Sequence, residues 1–270
     1  QGVIALLMMQ ILDELRLEGL DPNGADRLHL EAEATRLAFR DRDQLVADPR
    51  QSAVPTDRLL AKSHAAELAR RIDPERAMPG LPAQLLPEHK DTIYLTVVDR
   101  DGNACSFINS VYESFGSGLV CRETGVVFQN RGKAFSLQPG HLNSLAPRKR
   151  PLHTIIPGLA FKGDQLWTTF GVMGGDYQPV GHARLMTNLL VYGMDPQEAI
   201  DAPRVMAYPG PLQIERGVSP KAVAGLLAKG HEPVPAASPW GGGQAITIDR
   251  ERGVLIGGSD PRKDGLALGY

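Results

Sequence analysis

The sequence predicts an α+β fold in which a largely antiparallel sheet is covered by helices. In the first part of the chain, apolar residues recur at the three- and four-residue steps of amphipathic helices. Later, two pairs of segments alternate with a period of two, and a short glycine-containing turn separates the members of each pair. With 270 residues, of which 42% are hydrophobic, the chain can bury one large core or two small ones.

Residues from Gly2 to about Leu45 are predicted to be helical. The apolar run that starts at Gly2 is eleven residues long, too short to span a bilayer and without the flanks of a signal peptide. We therefore interpret it as a buried helix. A second helical pattern follows over residues 28–45 and is closed by Asp48-Pro49. Because the chain opens without an initiator methionine, we expect it to be part of a longer protein.

Residues 74–87 carry four prolines and a glycine among few charges, which predicts an exposed, irregular linker. Beyond it, residues 92–99 and 103–112 are predicted to form a hairpin around an Asp-Gly turn. The remaining predicted elements, in chain order, are a strand at 164–170, helices at 178–193 and 219–230, and a second hairpin at 244–258.

Composition argues for a small or neutral partner. The formal net charge is −2, from 29 basic and 31 acidic residues, and the longest basic run is three residues, so we expect neither nucleic acid nor an anionic membrane as partner. Two cysteines cannot build a disulfide framework, and no Cys-x-x-Cys spacing occurs. We expect no metal or organic cofactor, and a cytoplasmic rather than a periplasmic location.

Thr92 stands where the flexible linker meets the first predicted strand. A threonine at such a point can become an N-terminal nucleophile, because cleavage of the preceding peptide bond frees an α-amine that can act as the base for its own hydroxyl. The alternative is an ordinary strand threonine, since threonine is common in strands.

Several motifs in the same order resemble the γ-glutamyltranspeptidase family of N-terminal nucleophile hydrolases: "DTIYLTVVDRDGNACSFINSVYESFGSG", "GVMGGDYQP", "DAPRV" and "GSDPRKDGLALGY". The resemblance covers essentially the whole chain. It implies that residues 1–91 form the later part of a large subunit and residues 92–270 a complete small subunit. The implied fold is an αββα sandwich, two stacked sheets between helical layers.

The resemblance also implies roles for individual residues. Asp91-Thr92 matches the bond at which the family cleaves itself, which makes Thr92 both the processing residue and the nucleophile. Ser110 falls where the family has a second threonine that contacts the nucleophile. Gly174 and Gly175 match a glycine pair whose backbone amides stabilise the oxyanion, although an ordinary strand-to-helix turn is the simpler alternative for a Gly-Gly pair.

Departures from the family pattern concern the substrate. Where typical γ-glutamyl enzymes have an Asn, a Gln and an Asp, this chain has Tyr112, Arg131 and Ala134, so the carboxylate that binds the substrate amine is absent. Arg131 adds a planar cation suited to a carboxylate. Together with His153 and Thr154 in place of two serines, these changes resemble the oxamate amidohydrolase-like branch of the family.

Each substrate-binding assignment has a simpler alternative. Arg131 could be a structural ion-pair partner, and Tyr112 a wall that excludes larger substrates without bonding to them. His153 could be a satisfied core histidine that only shapes the pocket.

The resulting hypothesis is an amide hydrolase that acts through a threonyl ester on a small amine-free amide acid, with water or an amine as acceptor. Processing would yield a heterodimer of large and small subunits. The first alternative is a true γ-glutamyl transferase of glutathione metabolism, which the absent acid at Ala134 disfavours. The second is an unprocessed, inert fragment.

Overall fold

The computed structural model describes residues 1–79, 92–208 and 210–270. Asp91 and most of the predicted linker lie outside the described residues. The helices are α1 (Gly2–Glu14), α2 (Ala25–Leu45), α3 (Thr56–Leu59), α4 (Lys62–Ala69), α5 (Gln178–Leu190), α6 (Pro196–Asp201) and α7 (Pro220–Ala228). The strands are β1 (Thr92–Val98), β2 (Ala104–Ser110), β3 (Gly158–Lys162), β4 (Gln165–Met173), β5 (Val205–Met206), β6 (Gln213–Ile214), β7 (Val234–Pro235), β8 (Gly242–Asp249) and β9 (Val254–Ser259).

The first 45 residues of the chain form two helices, as the two helical patterns predict. Between α1 and α2 the backbone turns through left-handed conformations at Arg16 and Gly19, with φ of 52° and 81°. The apolar run at the start is a buried helix, as predicted, and packs against α2, α4 and α5. Among the described residues, no helix has the length and apolar character needed to cross a membrane.

Two antiparallel sheets stack against each other under a layer of helices. One sheet has the strand order β3-β4-β8-β9 and the other consists of β1 and β2. Alternate residues of β4 face opposite layers: Thr169 contacts β1, whereas Phe170 lies against His182 of α5, with ring centroids 5.3 Å apart. This confirms the predicted α+β class. The outer face of β1 carries exposed Ile93 and Val97, and no described helix covers it.

Both predicted hairpins are confirmed. The connection between β1 and β2 is a five-residue loop, in which the Asp99 side chain accepts hydrogen bonds from the backbone N–H groups of Asp101 and Asn103, each at 2.9 Å. Helix α7 also begins and ends as predicted: Ser219 caps its first turn, and Gly230 follows it with a φ of 85°. The small sheet β5-β6-β7, which contains a parallel pair, was not predicted.

The regions 1–91 and 92–270 share one hydrophobic core, because α1, α2 and α4 pack with α5 and β4. Inside this helical layer lies a fully buried ion cluster. The Glu31 carboxylate accepts hydrogen bonds from Arg27 and, at 2.9 Å, from Arg184. Arg27 also donates to the Thr187 hydroxyl at 2.6 Å. One carboxylate thus balances two guanidinium groups that have almost no contact with solvent.

Replacing Glu31 by Gln should destabilise the protein strongly, because two buried guanidinium groups would lose their shared counter-charge. We expect the free energy of unfolding to fall by about 3–5 kcal/mol in urea denaturation. As a control, Glu75→Gln removes an exposed partner of Lys229 and should change it by less than about 1 kcal/mol. Equal effects of the two substitutions would show that the buried cluster does not hold the helical layer together.

Candidate active site

Thr92 is the first residue of β1 and lies opposite Ser110, the last residue of β2. Its hydroxyl donates a hydrogen bond to the Ser110 Oγ atom at 3.1 Å. The same oxygen accepts a hydrogen bond from the backbone N–H of Tyr112 at 2.9 Å. The predicted contact between Thr92 and Ser110 is therefore present, and the orientation of the Thr92 hydroxyl is set by the end of the neighbouring strand. Asp91, the other half of the predicted cleavage site, lies outside the described residues.

The packing of the two sheets places Thr92 at one end of β4. The hydroxyl oxygens of Thr96 and Thr169 lie 2.6 Å apart, and the Tyr94 ring covers Gly171 so closely that a Cβ there would lie 2.4 Å from a ring carbon. Moving two residues back along β1, from Thr96 to Tyr94, therefore corresponds to moving two residues forward along β4, from Thr169 to Gly171. The next step sets Thr92 level with the C-terminal end of β4.

Gly174 and Gly175 follow β4 directly and have φ of 124° and 58°, conformations that favour glycine. Their carbonyl groups are bonded: that of Gly174 to the Tyr177 N–H at 3.0 Å, and that of Gly175 to the Gln1 side chain at 3.1 Å. Neither N–H group donates to any described residue. Two unengaged amides just before the N-terminus of α5 can bind an anion.

Arg131 lies in the long irregular segment between β2 and β3. Its guanidinium is buried, donates through Nη1 to the Thr154 hydroxyl at 3.0 Å, and lies 5.3 Å from the centre of the Tyr112 ring. The Nη2 atom is buried without a hydrogen-bond partner, and no described carboxylate is within ion-pair distance. Burial accordingly lowers the pKa of Arg131. The alternative of a structural ion pair finds no partner among the described residues.

Tyr112 is a buried residue in a strained conformation, with a φ of 84° that non-glycine residues seldom adopt. Burial, and next the charge of Asp176, raise the pKa of its phenol to about 12, so it is neutral at ordinary pH. Its backbone binds Ser110 while its ring faces Arg131. Tyr112 therefore links the candidate nucleophile to the buried cation.

Two of the predicted positions, His153 and Ala134, take less part in the contacts of the site. The His153 side chain is exposed by surface area, yet loss of hydration, and next the charge of Arg131, lower its pKa, so the imidazole is neutral at ordinary pH. Its ring has no hydrogen bond to a described residue. Ala134 ends the 3-10 turn that starts at Arg131, and its carbonyl accepts from the Asn143 amide at 2.7 Å.

Three residues that support the glycine pair were missed from the sequence. Gln1 donates to the carbonyls of Thr154, at 3.0 Å, and of Gly175, which joins the two sides of the site. Arg42, fully buried, donates at 2.8 Å to the side chains of both Gln1 and Asp176. A signal for Arg42 existed, because it lies three residues after Phe39 on the buried stripe of α2, where a charge is unexpected.

The chain is similar to known proteins along its whole length. The family model described as gamma-glutamyltranspeptidase matches residues 1–270. The chain is 39% identical to the glutathione hydrolase-like YwrD proenzyme of Bacillus subtilis and 38% identical to the oxamate amidohydrolase proenzyme of Klebsiella pneumoniae, covering all of this chain and 52% of each relative. The crystal structure of cephalosporin acylase from Bacillus halodurans superimposes with a TM-score of 0.88 at 39% identity, over the whole of this chain and half of that one.

The chain thus spans about half the length of the curated relatives it matches. Both the family model and the relatives cover it from end to end, and the solved acylase has the same arrangement of helices and sheets. The chain belongs to the γ-glutamyltranspeptidase family.

Proposed function

We propose that the protein containing this chain is a self-processing amide hydrolase that uses Thr92 as nucleophile and prefers a small substrate with a carboxylate and no ammonium group. The observation that carries the substrate preference is the buried Arg131 guanidinium, which lacks a carboxylate partner among the described residues. A buried cation is costly unless an anion balances it. A substrate carboxylate would supply that anion next to Thr92.

The chemistry begins with cleavage. The Thr92 hydroxyl attacks the carbonyl carbon of the preceding residue, the peptide C–N bond breaks, and the resulting ester is hydrolysed by water to leave a free α-amine on Thr92. The names of both relatives, as proenzymes, support this step. The products would be a large and a small subunit that stay together, because the regions on either side of Thr92 share one core.

Turnover then uses the same hydroxyl. The Thr92 amine takes the hydroxyl proton as Oγ attacks the substrate amide carbonyl, and returns a proton to the leaving amine. The acyl group remains on Oγ as an ester until water, or an amine acceptor, releases it. The developing oxyanion would be bound by the unengaged N–H groups of Gly174 and Gly175, which lie just beyond the end of β4 that is level with Thr92.

The proposed choice of substrate follows from Arg131 and Ala134. Arg131 can bind a carboxylate through its buried Nη2, whereas Ala134 offers no carboxylate to a substrate ammonium. Oxamate, which carries a carboxylate directly on the amide carbonyl, satisfies both conditions, and the Klebsiella relative is named for that substrate. A γ-glutamyl amide, with its α-ammonium group, would leave that charge without a partner.

Processing is predicted to depend on the Thr92 hydroxyl. The complete protein should separate on denaturing gels into two fragments, the smaller one starting at Thr92. Thr92→Ala should abolish cleavage, because no nucleophile remains, whereas Thr92→Ser should retain it. Intact mass and N-terminal sequencing measure both. If the alanine variant still splits at this bond, Thr92 is not the processing residue.

Substrate choice can be tested with two compounds that differ mainly in charge. The processed protein should hydrolyse oxamate with a higher kcat/KM than oxamide, its uncharged diamide, and also higher than a γ-glutamyl anilide. Arg131→Gln should lower kcat/KM for oxamate by about 10- to 100-fold, the loss expected for a charged hydrogen bond, and leave the oxamide value within a few-fold. Initial release of ammonia, before oxamate accumulates from oxamide, measures the first two rates, and release of the aniline measures the third.

A matched Arg131→Lys variant keeps the charge but loses the planar donor pair, so it should fall between the parent and the glutamine variant. A preference of the parent for the γ-glutamyl anilide would overturn the proposed substrate class and favour a true γ-glutamyl transferase instead. Equal losses on oxamate and oxamide would show that Arg131 supports the fold rather than the substrate.

The glycine pair should contribute to kcat rather than to binding. In Gly175→Ala the added Cβ is strained at a φ of 58° and should misplace one amide donor, lowering kcat by about a hundredfold or more. KM should change less, because the oxyanion forms only near the transition state. The melting temperature, measured beside the rate, separates this from misfolding. A processed variant with the parent kcat would leave the pair as an ordinary turn.

A further inference from the structure

A second group of chemically active side chains lies outside the candidate active site. His29 and Glu33 are one helical turn apart on the same face of α2, and His231 follows α7 in the chain. All three are buried, and one potential ligand atom from each lies within 4.8 Å of the others. None of them takes part in the contacts around Thr92. The two histidines are 202 positions apart in the sequence, so residue spacing alone does not reveal the group.

The orientation of the imidazole rings fixes which nitrogens can bind a ligand. The Nε2 atom of His29 lies 2.8 Å from the backbone carbonyl of Asp73, so it carries the proton and donates. Its Nδ1 atom therefore carries no proton, and it accepts a hydrogen bond from the Nε2–H group of His231 at 2.7 Å. Burial lowers the pKa of both rings, that of His231 to about 4, so both are neutral at ordinary pH.

We propose that His29 Nδ1, His231 Nε2 and a carboxylate oxygen of Glu33 form a site for a divalent transition metal, best suited to Zn²⁺. Two imidazoles and one carboxylate are a ligand set that Zn²⁺ accepts. The hydrogen bond from His29 to a backbone carbonyl is the outer contact that orients metal-bound histidines. On metal binding, the two facing nitrogens separate from 2.7 Å to roughly 3.3 Å, the spacing of two tetrahedral ligands, and the His231 proton moves from Nε2 to Nδ1, which has no hydrogen-bond partner among the described residues.

The hydrogen bonds that Glu33 already accepts leave its carboxylate able to bind a metal. Its oxygens accept hydrogen bonds from Arg36, at 2.9 Å, and from the Met78 N–H, at 2.7 Å. Each carboxylate oxygen has two lone pairs, so one remains on each for a metal. Arg36 and Lys229 also face the group; Lys229 is balanced by Asp26 and Glu75 at 2.9 and 3.1 Å. No fourth His, Cys, Asp or Glu among the described residues joins the group, so the fourth ligand would be water.

Bound metal would join three parts of the chain. Helix α2 supplies two ligands, the turn after α7 supplies the third, and residues 73–78 are held through the Asp73 carbonyl and the Met78 amide. This last segment leads toward the predicted cleavage site. The metal would therefore act as a structural clamp on residues 73–78, and it would raise the free energy of unfolding with the logarithm of the ratio of its concentration to its dissociation constant.

The test uses the complete protein without a histidine tag, freed of metal by a chelator. Titration with Co²⁺, which reports tetrahedral coordination by its visible absorption, should reach one equivalent, and Zn²⁺ should displace the Co²⁺ and raise the melting temperature. His29→Gln and His231→Gln should each weaken Co²⁺ binding by at least about tenfold, because losing a ligand costs no less than losing an outer contact. His141→Gln, outside the group, is the matched control and should bind as the parent does.

Two outcomes would overturn the proposal: a parent protein that binds no Co²⁺ under these conditions, or glutamine variants that bind it as tightly as the parent. Circular dichroism checks that the variants fold. If the variants do not fold, X-ray absorption of the Zn²⁺-loaded parent tests the site instead. The spectrum should show two imidazole ligands, and a spectrum without them would contradict the proposal. Neither measurement depends on amide hydrolysis, so the failure of one proposal leaves the other intact.

Discussion

The close approach of the two sheets at Gly171 is the constraint on which the candidate site depends. Because position 171 has no side chain, the Tyr94 ring lies directly on β4, and a Cβ there would meet ring carbons at 2.4–2.7 Å. The Tyr94 hydroxyl is held by Ser106 at 2.7 Å, and Ser106 in turn bonds the β4 backbone at Phe170. This polar contact between the layers locks β1 against sliding along β4, and so keeps Thr92 at the level where the glycine pair begins.

The wall of the site that carries Arg131 is formed by the segment between β2 and β3. This segment has almost no regular secondary structure, so side-chain hydrogen bonds must hold it in place. Asn143 accepts from the Leu152 N–H at 3.0 Å and donates to the Ala134 carbonyl, which draws two distant parts of the segment together. Asp48, beyond the end of α2, accepts from the Arg150 N–H at 2.9 Å. These bonds join the wall to the helical part of the chain, so the position of Arg131 depends on residues on both sides of the proposed cleavage.

Local patterns explain which features could be predicted from the sequence. The hairpins, α5 and α7 follow from periodicity and from turn or cap residues close in sequence, and the structure confirms them. The contact of Thr92 with Ser110 follows from hairpin register, also a local property. The contact of Arg42 with Asp176 and the His29–His231 pair could not be found this way, because each joins residues more than a hundred positions apart. The one sequence signal for Arg42 was its position three residues after Phe39, on the same face of α2.

Three of the positions that depart from the typical γ-glutamyl pattern, Tyr112, Arg131 and Thr154, form one connected group rather than independent changes. Arg131 bonds Thr154 and faces the Tyr112 ring, whose backbone holds Ser110 beside Thr92. Residues in one network have coupled energies, so the effect of any one depends on the others. Without the ring of Tyr112 and the hydroxyl of Thr154, a cation at position 131 would lose both the packing and the hydrogen bond that hold its guanidinium in position. The change in charge and the change in shape at this site therefore belong to one set of contacts, which reaches Thr92 through Ser110.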